Sequence, residues 1–203
     1  MSQNYFHTLL NLVFPTDNHS FVALKVFGVK EIDDLGIDVW VATKYNDPMI
    51  HNLIHKVKVE GQFDYIAELS DIFGHQVQQN FETLDRILVT PVPPDPSRLL
   101  KNGFALSTVL AKNLSRDLSL DFAELLYKKQ TTTKQSYLKR EERLTNLNNK
   151  IGLYEVRTNV SNYNEIWIID DITTTGATLF ECQKIIQKNY PFVEVRLLAL
   201  ASN

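Results

Sequence analysis

"IWIIDDITTTGAT", residues 166–178, carries more of the fold than any other stretch of the chain. Ile166 to Ile169 form a wholly apolar run, as expected of a strand buried on both faces. Two acids follow, Asp170 and Asp171, then Thr173, Thr174 and Thr175, Gly176, Ala177 and Thr178. The next residues, "ATLFECQKIIQKN", read as a helix. A helix starting here would aim its free N–H groups and positive dipole end at the loop. Gly176 permits close backbone approach, Ala177 avoids a clash, and the threonine hydroxyls add donors. That is an anion cradle. Adjacent carboxylates would repel a phosphate unless they address something neutral or a metal, and the vicinal hydroxyls of a sugar suit them. Side chains alternate along a strand, so Asp170 and Asp171 point apart if the strand runs through both, and share a ligand only if the backbone turns there. A capped turn into a helix is the plainer reading of two acids alone. The complete loop favours a ribose carrying a terminal phosphate.

Outward from this stretch, strand and helix patterns alternate. "RILVTPVP" is a short buried strand ending in prolines, "FALSTVLAKNLSRDL" an amphipathic helix, and "FVEVRLLALA" a closing strand. Apolar strands separated by helices predict an α/β fold with a parallel sheet covered on both faces. Upstream, "FVALKVFGVK" and "IDVWVATKYN" predict an antiparallel pair joined through "EIDDLG". Asp47-Pro48 reads as a helix entry, and Met49, Ile50, Leu53, Ile54 and Val57 recur at helical spacing. "DYIAELSDIFGHQV" supplies a second helix. A boundary near residue 80 divides an appended α+β region, 1–80, from a core, 81–203.

The chain has 203 residues, a net charge of −3 and one cysteine, Cys182. It can bury a substantial core. No internal disulfide or cysteine zinc cluster is available. No apolar stretch approaches the length of a bilayer span, and "MSQNYFHTLLNLVF" lacks the layout of a signal peptide, so a cytoplasmic protein with no membrane partner is expected. Residues 128–150 hold seven Lys or Arg against two Glu, an excess of about five positive charges in an acidic chain. This is either an anion-binding segment or a solvated basic loop. Only Tyr137 interleaves as an aromatic, which argues against direct single-strand nucleic-acid binding. His51 and His55 have a metal-compatible spacing but no third ligand nearby. Trp40 and Trp167 lie in apolar patterns and are expected in the core.

The thirteen-residue motif resembles the phosphoribosyl pyrophosphate (PRPP) motif of type I phosphoribosyltransferases. The wider chain, from about residue 48, is similar to the ComF-like (competence protein F) branch. "PVPPDPSRLLKNGFALSTVLA" resembles that branch's Pro-Val-Pro, arginine and Gly-Phe pattern, and "TTKQSYLKREERLTN" its Thr-x-x-Gln, Leu and Arg-x-x-Asn signature. The resemblance implies a type I phosphoribosyltransferase-like fold in which Asp170 and Asp171 hold the ribose 2- and 3-hydroxyls, directly or through Mg²⁺. Thr174, Thr175, Gly176, Ala177 and Thr178 would wrap the 5-phosphate, and Thr90, Pro91 and Val92 would meet the pyrophosphate. Thr90-Pro91 or Val92-Pro93 either adopts a cis bond there or forms a rigid trans turn. Arg98 and Lys101 are the nearest cations for the leaving pyrophosphate. Residues 128–150 match the family's closing flap, with Lys128, Gln135, Arg140 and Arg143 as its candidate ligands.

The implied reaction is displacement of pyrophosphate from C1 of PRPP by an unidentified nucleobase or amine acceptor, with Mg²⁺ as cofactor. DNA-processing proteins are the implied partners, through a role in DNA uptake. The chain departs from the family where Arg-Gly-Phe-Asn-Gln is common, carrying Asn102, Gly103, Phe104, Ala105 and Leu106. The four-cysteine zinc module frequent in this branch has no counterpart here. A non-catalytic module with the same fold, binding PRPP or a nucleotide 5-phosphate as a sensor or assembly component, is therefore the alternative.

Overall fold

The computed structural model describes residues 28–129, 150–155 and 158–203, the side chains of residues 98, 101 and 102 excepted. Strands β1 (Gly28–Ile32) and β2 (Ile37–Lys44) form an antiparallel hairpin. Helices α1 (Pro48–Lys58) and α2 (Tyr65–Asn80) follow. Then come β3 (Ile87–Pro91), α3 (Pro96–Asn102), α4 (Leu106–Leu118) and the two-residue strand β4 (Asp121–Phe122). A small ribbon of β5 (Leu126–Lys128) and β6 (Ile151–Leu153) precedes β7 (Glu165–Thr173), α5 (Ala177–Asn189) and β8 (Glu194–Ser202).

The main sheet has the order β1-β2-β8-β7-β3-β4, and every pairing except the β1–β2 hairpin is parallel. The expected α/β architecture is therefore present. The antiparallel pair is present too, and β2 lies directly beside β8 in the same sheet as the core strands. The strand expected over "FVALKVFGVK" is described only from Gly28 and extends to Ile32; residues 21–27 lie outside the described residues.

Local chemistry explains the elements. Asp47 accepts hydrogen bonds from the amides of Met49 and Ile50 at 2.9 and 3.2 Å, and Pro48 occupies the first turn. Such a cap contributes about 1 kcal/mol. Ile50, Leu53, Ile54 and Val57 form the buried stripe of α1. Helix α3 starts on the same Asp-Pro signal: Asp95 accepts from the Ser97 amide at 3.0 Å, and left-handed Gly103 ends the helix.

The apolar run of β7 splits by parity between two cores. Trp167 and Ile169 join Ile50, Phe73, Leu110 and Leu198 on the α1–α2–α4 face. Ile166 and Ile168 join Val39, Leu88, Leu179, Cys182 and Ile186 on the α5 face. Each such side chain contributes about 1.5–3 kcal/mol by burial. Trp167 is fully buried, and its indole donates to Glu165 at 2.7 Å. The Phe81 ring sits between Trp167 and half-buried Trp40, at centroid distances of 4.7 and 5.1 Å. Cys182 packs in the second core, and burial pushes its thiol pKa up.

Candidate functional site

Strand β7 does not stop at the acids. It continues through Asp170 and Asp171 to Thr173, in register with β8. The carboxylates therefore fall on opposite faces, the arrangement that alternation dictates when no turn intervenes. Asp170 lies on the α5 side near Cys182, and the charges of Lys58 and then Lys128 also act on it. Its Oδ1 accepts the Asp171 amide at 2.8 Å. Burial, and then the neighbouring Asp171 charge, push its pKa up to about 7. Asp171 lies on the α1 side, and its Oδ2 is 3.0 Å from Lys58 Nζ.

Beyond Thr173 the chain turns through exposed Thr174 and Thr175 to buried Gly176, which adopts φ +69° and opens α5. No side chain among the described residues caps this helix start. The first-turn amides of Ala177, Thr178 and Leu179 have no intrahelical acceptor, as at every helix start. A Cβ at Gly176 would run into Ile32 Cδ1 and approach Ile37 Cδ1 at 3.2 Å. Glycine is thus required twice, for its backbone conformation and for the close hairpin. The same hairpin supplies Lys30, whose ammonium donates to the Thr174 carbonyl at 3.0 Å, Ser202 Oγ at 2.7 Å and the Asn203 carbonyl at 2.9 Å. The hairpin thus holds the loop through the Thr174 carbonyl.

Thr90 and Pro91 are the last residues of β3, and Val92 follows directly; all three are buried. Thr90 Oγ1 accepts from the Leu125 amide at 3.1 Å, the Val92 amide donates to Ile169 at 2.8 Å, and the Val92 carbonyl accepts from Ser107 at 3.1 Å. The described peptide bonds are all trans, so of the two forms considered for Thr90-Pro91 and Val92-Pro93 the turn takes the trans one. Arg98 and Lys101 belong to α3, after this turn. Leu106, at a position where the family commonly has a polar residue, is buried in the first core.

Lys128 is half-buried in β5, at the base of the basic segment. That base is a paired ribbon, extended by the Lys129 amide donating to the Lys150 carbonyl at 2.7 Å. Gln135, Arg140 and Arg143 lie outside the described residues.

The donor set does not make a protein-held Mg²⁺ site. The two acids diverge, one is engaged by its neighbour's amide and the other by a lysine, and no cluster of three or more His, Cys, Asp or Glu that could hold a metal occurs among the described residues. His55 pairs with Glu60 at 3.1 Å. A cavity of about 360 Å³ lined by residues that include Asp38, Trp40, Gln183 and Arg196 involves none of residues 170–178. No helix of the described residues is long and apolar enough to cross a membrane.

Lys58 and Lys30 are the site residues that sequence reasoning does not find. They lie 113 and 144 positions from the groups they bind; Lys58 falls in "NLIHKVKVEG", a segment that resembles the ComF-like branch, but nothing in it marks this contact.

No family model matches the chain. Competence protein F of Haemophilus influenzae is 29% identical over 140 residues, which is 67% of this chain and 61% of that protein. The chain is similar to competence protein F over that stretch. It spans about three-fifths of that relative's length. Among solved structures, the xanthine-guanine-hypoxanthine phosphoribosyltransferase of Helicobacter pylori has a TM-score of 0.44 at 16% identity, covering 70% of this chain and 75% of that one. The adenine phosphoribosyltransferase of Leishmania tarentolae has a TM-score of 0.46 at 10% identity, covering 87% and 95%. Likenesses this loose carry no argument about the site.

Proposed function

We propose that the protein binds a 5-phosphorylated ribose, PRPP or a nucleotide 5-phosphate, at the loop from Thr174 to Thr178. The observation that carries this reading is the start of α5, entered through left-handed Gly176 immediately after β7 and its two acids, with no side-chain cap among the described residues. The amides and dipole end suit a phosphate. The carboxylates suit hydroxyls, Asp171 as an acceptor and Asp170, near its pKa at neutral pH, as an acceptor or a donor.

With PRPP bound, the reaction is displacement of pyrophosphate from C1 by a nucleobase or amine. The chain's contribution is to position and to neutralise charge. The loop anchors the 5-phosphate and the acids orient the ring. Arg98 and Lys101 from α3, with cations of segment 128–150, meet the departing diphosphate. Closure of that segment over the ligand would exclude water and strengthen those contacts. Mg²⁺ would accompany PRPP as its counter-ion, since it favours phosphates over an all-protein cage. The name of the Haemophilus relative is the ground for a link to competence and DNA uptake, with DNA-processing proteins as partners.

Burial of Leu106 favours a second reading, a binding module without catalysis, because an apolar core residue stands where a polar contact is common in the family. Both readings predict that PRPP with Mg²⁺ raises the melting temperature and that Asp171→Asn and Gly176→Val abolish the rise. No rise at millimolar PRPP refutes both. Pyrophosphate release with a panel of bases supports the enzyme, and binding without release across the panel supports the module.

A further inference from the structure

The last residue of α1 reaches a strand end 113 positions away. Lys58 Nζ lies 3.0 Å from Asp171 Oδ2, with the lysine side chain 31% and the aspartate side chain 16% exposed. This contact is shielded more than a surface pair, and it occupies one oxygen of the acid that the family resemblance makes a candidate Mg²⁺ ligand. The other acid faces away and accepts a backbone amide. A hard divalent cation needs several converging oxygens. At Asp171 it would also have to displace or sit beside an ammonium group.

We propose that Lys58 is the resident cation of this site, taking the place at Asp171 that a protein-bound divalent ion would fill, so that these acids receive a ribose hydroxyl without ligating metal. The proposal deepens the ribose-phosphate reading and rests on it for the identity of the ligand. Lys58 acts through Asp171 as a positioning residue. Its ammonium engages one carboxylate oxygen and leaves the second free to accept from a sugar hydroxyl. Removing the ammonium while keeping its length leaves an uncompensated acid, to which a divalent ion that keeps most of its waters can then bind weakly through one carboxylate.

The test uses Mn²⁺ itself as probe, with free Mn²⁺ followed by electron paramagnetic resonance in titrations of the full chain. Wild type and Lys58→Arg should leave sub-millimolar Mn²⁺ free. Lys58→Met should bind one Mn²⁺ at least about tenfold more tightly, the scale expected from deleting a neighbouring positive charge. Lys58→Met with Asp171→Asn should lose that gain. If Lys58→Met does not fold, Lys58→Gln replaces it. Equal Mn²⁺ affinity in wild type and the Lys58 variant overturns the proposal. A second arm measures the thermal shift caused by ribose 5-phosphate. Wild type should keep its shift in EDTA, and Lys58→Met should need Mn²⁺ to recover it; a wild-type shift that vanishes in EDTA also overturns the proposal. Absence of any ribose 5-phosphate shift in wild type, with or without metal, refutes the ribose-phosphate reading instead, and the Mn²⁺ titration still decides the role of Lys58.

Discussion

Gly176→Ala isolates the two demands placed on the start of α5. At φ +69° any residue with a Cβ is strained, at a cost of about 1–2 kcal/mol. The new methyl group also collides with Ile32 Cδ1, the end of a flexible, half-buried side chain, and stands 3.2 Å from Ile37 Cδ1, so the hairpin side chains must shift to admit it. Overpacking of this kind costs about 1–3 kcal/mol. The two effects together give about 2–5 kcal/mol. For a chain of this size each kcal/mol lowers Tm by roughly 2–4 °C, so a fall of about 4–20 °C is expected. Ile32→Ala removes the collision and leaves the backbone strain. Denaturant unfolding of wild type, both single variants and the double variant closes a thermodynamic cycle. The double variant should be more stable than additivity predicts by about 1–3 kcal/mol, as for directly contacting residues. Strict additivity would show that the hairpin does not press on the loop and would refute the described packing.

Three further outcomes follow from individual contacts. Asp170 has a folded-state pKa of about 7, above its ordinary value, so its contribution to stability is fully present at acid pH and is lost as pH rises toward and through 7; Tm–pH curves for wild type and Asp170→Asn should diverge over that window, with wild type losing relative stability as pH climbs. Parallel curves would count against the buried placement of the carboxyl. Thr90→Val removes the acceptor for the buried Leu125 amide and should cost about 1–3 kcal/mol in denaturant unfolding, whereas Thr90→Ser should cost less. Lys30→Met removes a donor shared by three acceptors, and exchange of the Phe180 amide, which donates to the Gly176 carbonyl at 2.9 Å, should accelerate by about tenfold or more for a local loss above 1.4 kcal/mol; unchanged exchange would mean that the lysine does not hold the loop.

Much of this organisation can be read locally. The continuous apolar run before Asp170 identifies a strand buried on both sides, and the Asp47-Pro48 pair marks the start of α1. The divergence of Asp170 from Asp171 follows from alternation once β7 is known to continue; only its length was open, and register with β8 through Ser202 settles it. Helix α3 is not legible from periodicity although Asp95-Pro96 repeats the signal of Asp47-Pro48, because "PSRLLKN" is too short to show a helical stripe. Strand β4, with two residues, has no periodicity at all. The lysines were invisible for a different reason. Lys58 and Lys30 acquire their roles only when α1 and the β1–β2 hairpin close against the end of β7, and nothing near either residue in sequence encodes that contact.

The paired ribbon of Leu126–Lys128 and Ile151–Leu153 also makes the protein tolerant of engineering at one place. Its strands hold both ends of the intervening segment together, down to the 2.7 Å bond between Lys129 and Lys150. The closure entropy of whatever lies between grows only slowly, by about 0.6 kcal/mol for each doubling of length. Lengthening the chain between Lys129 and Lys150 should therefore cost the folded state little stability, whatever it does to the ligand-facing role proposed for that segment.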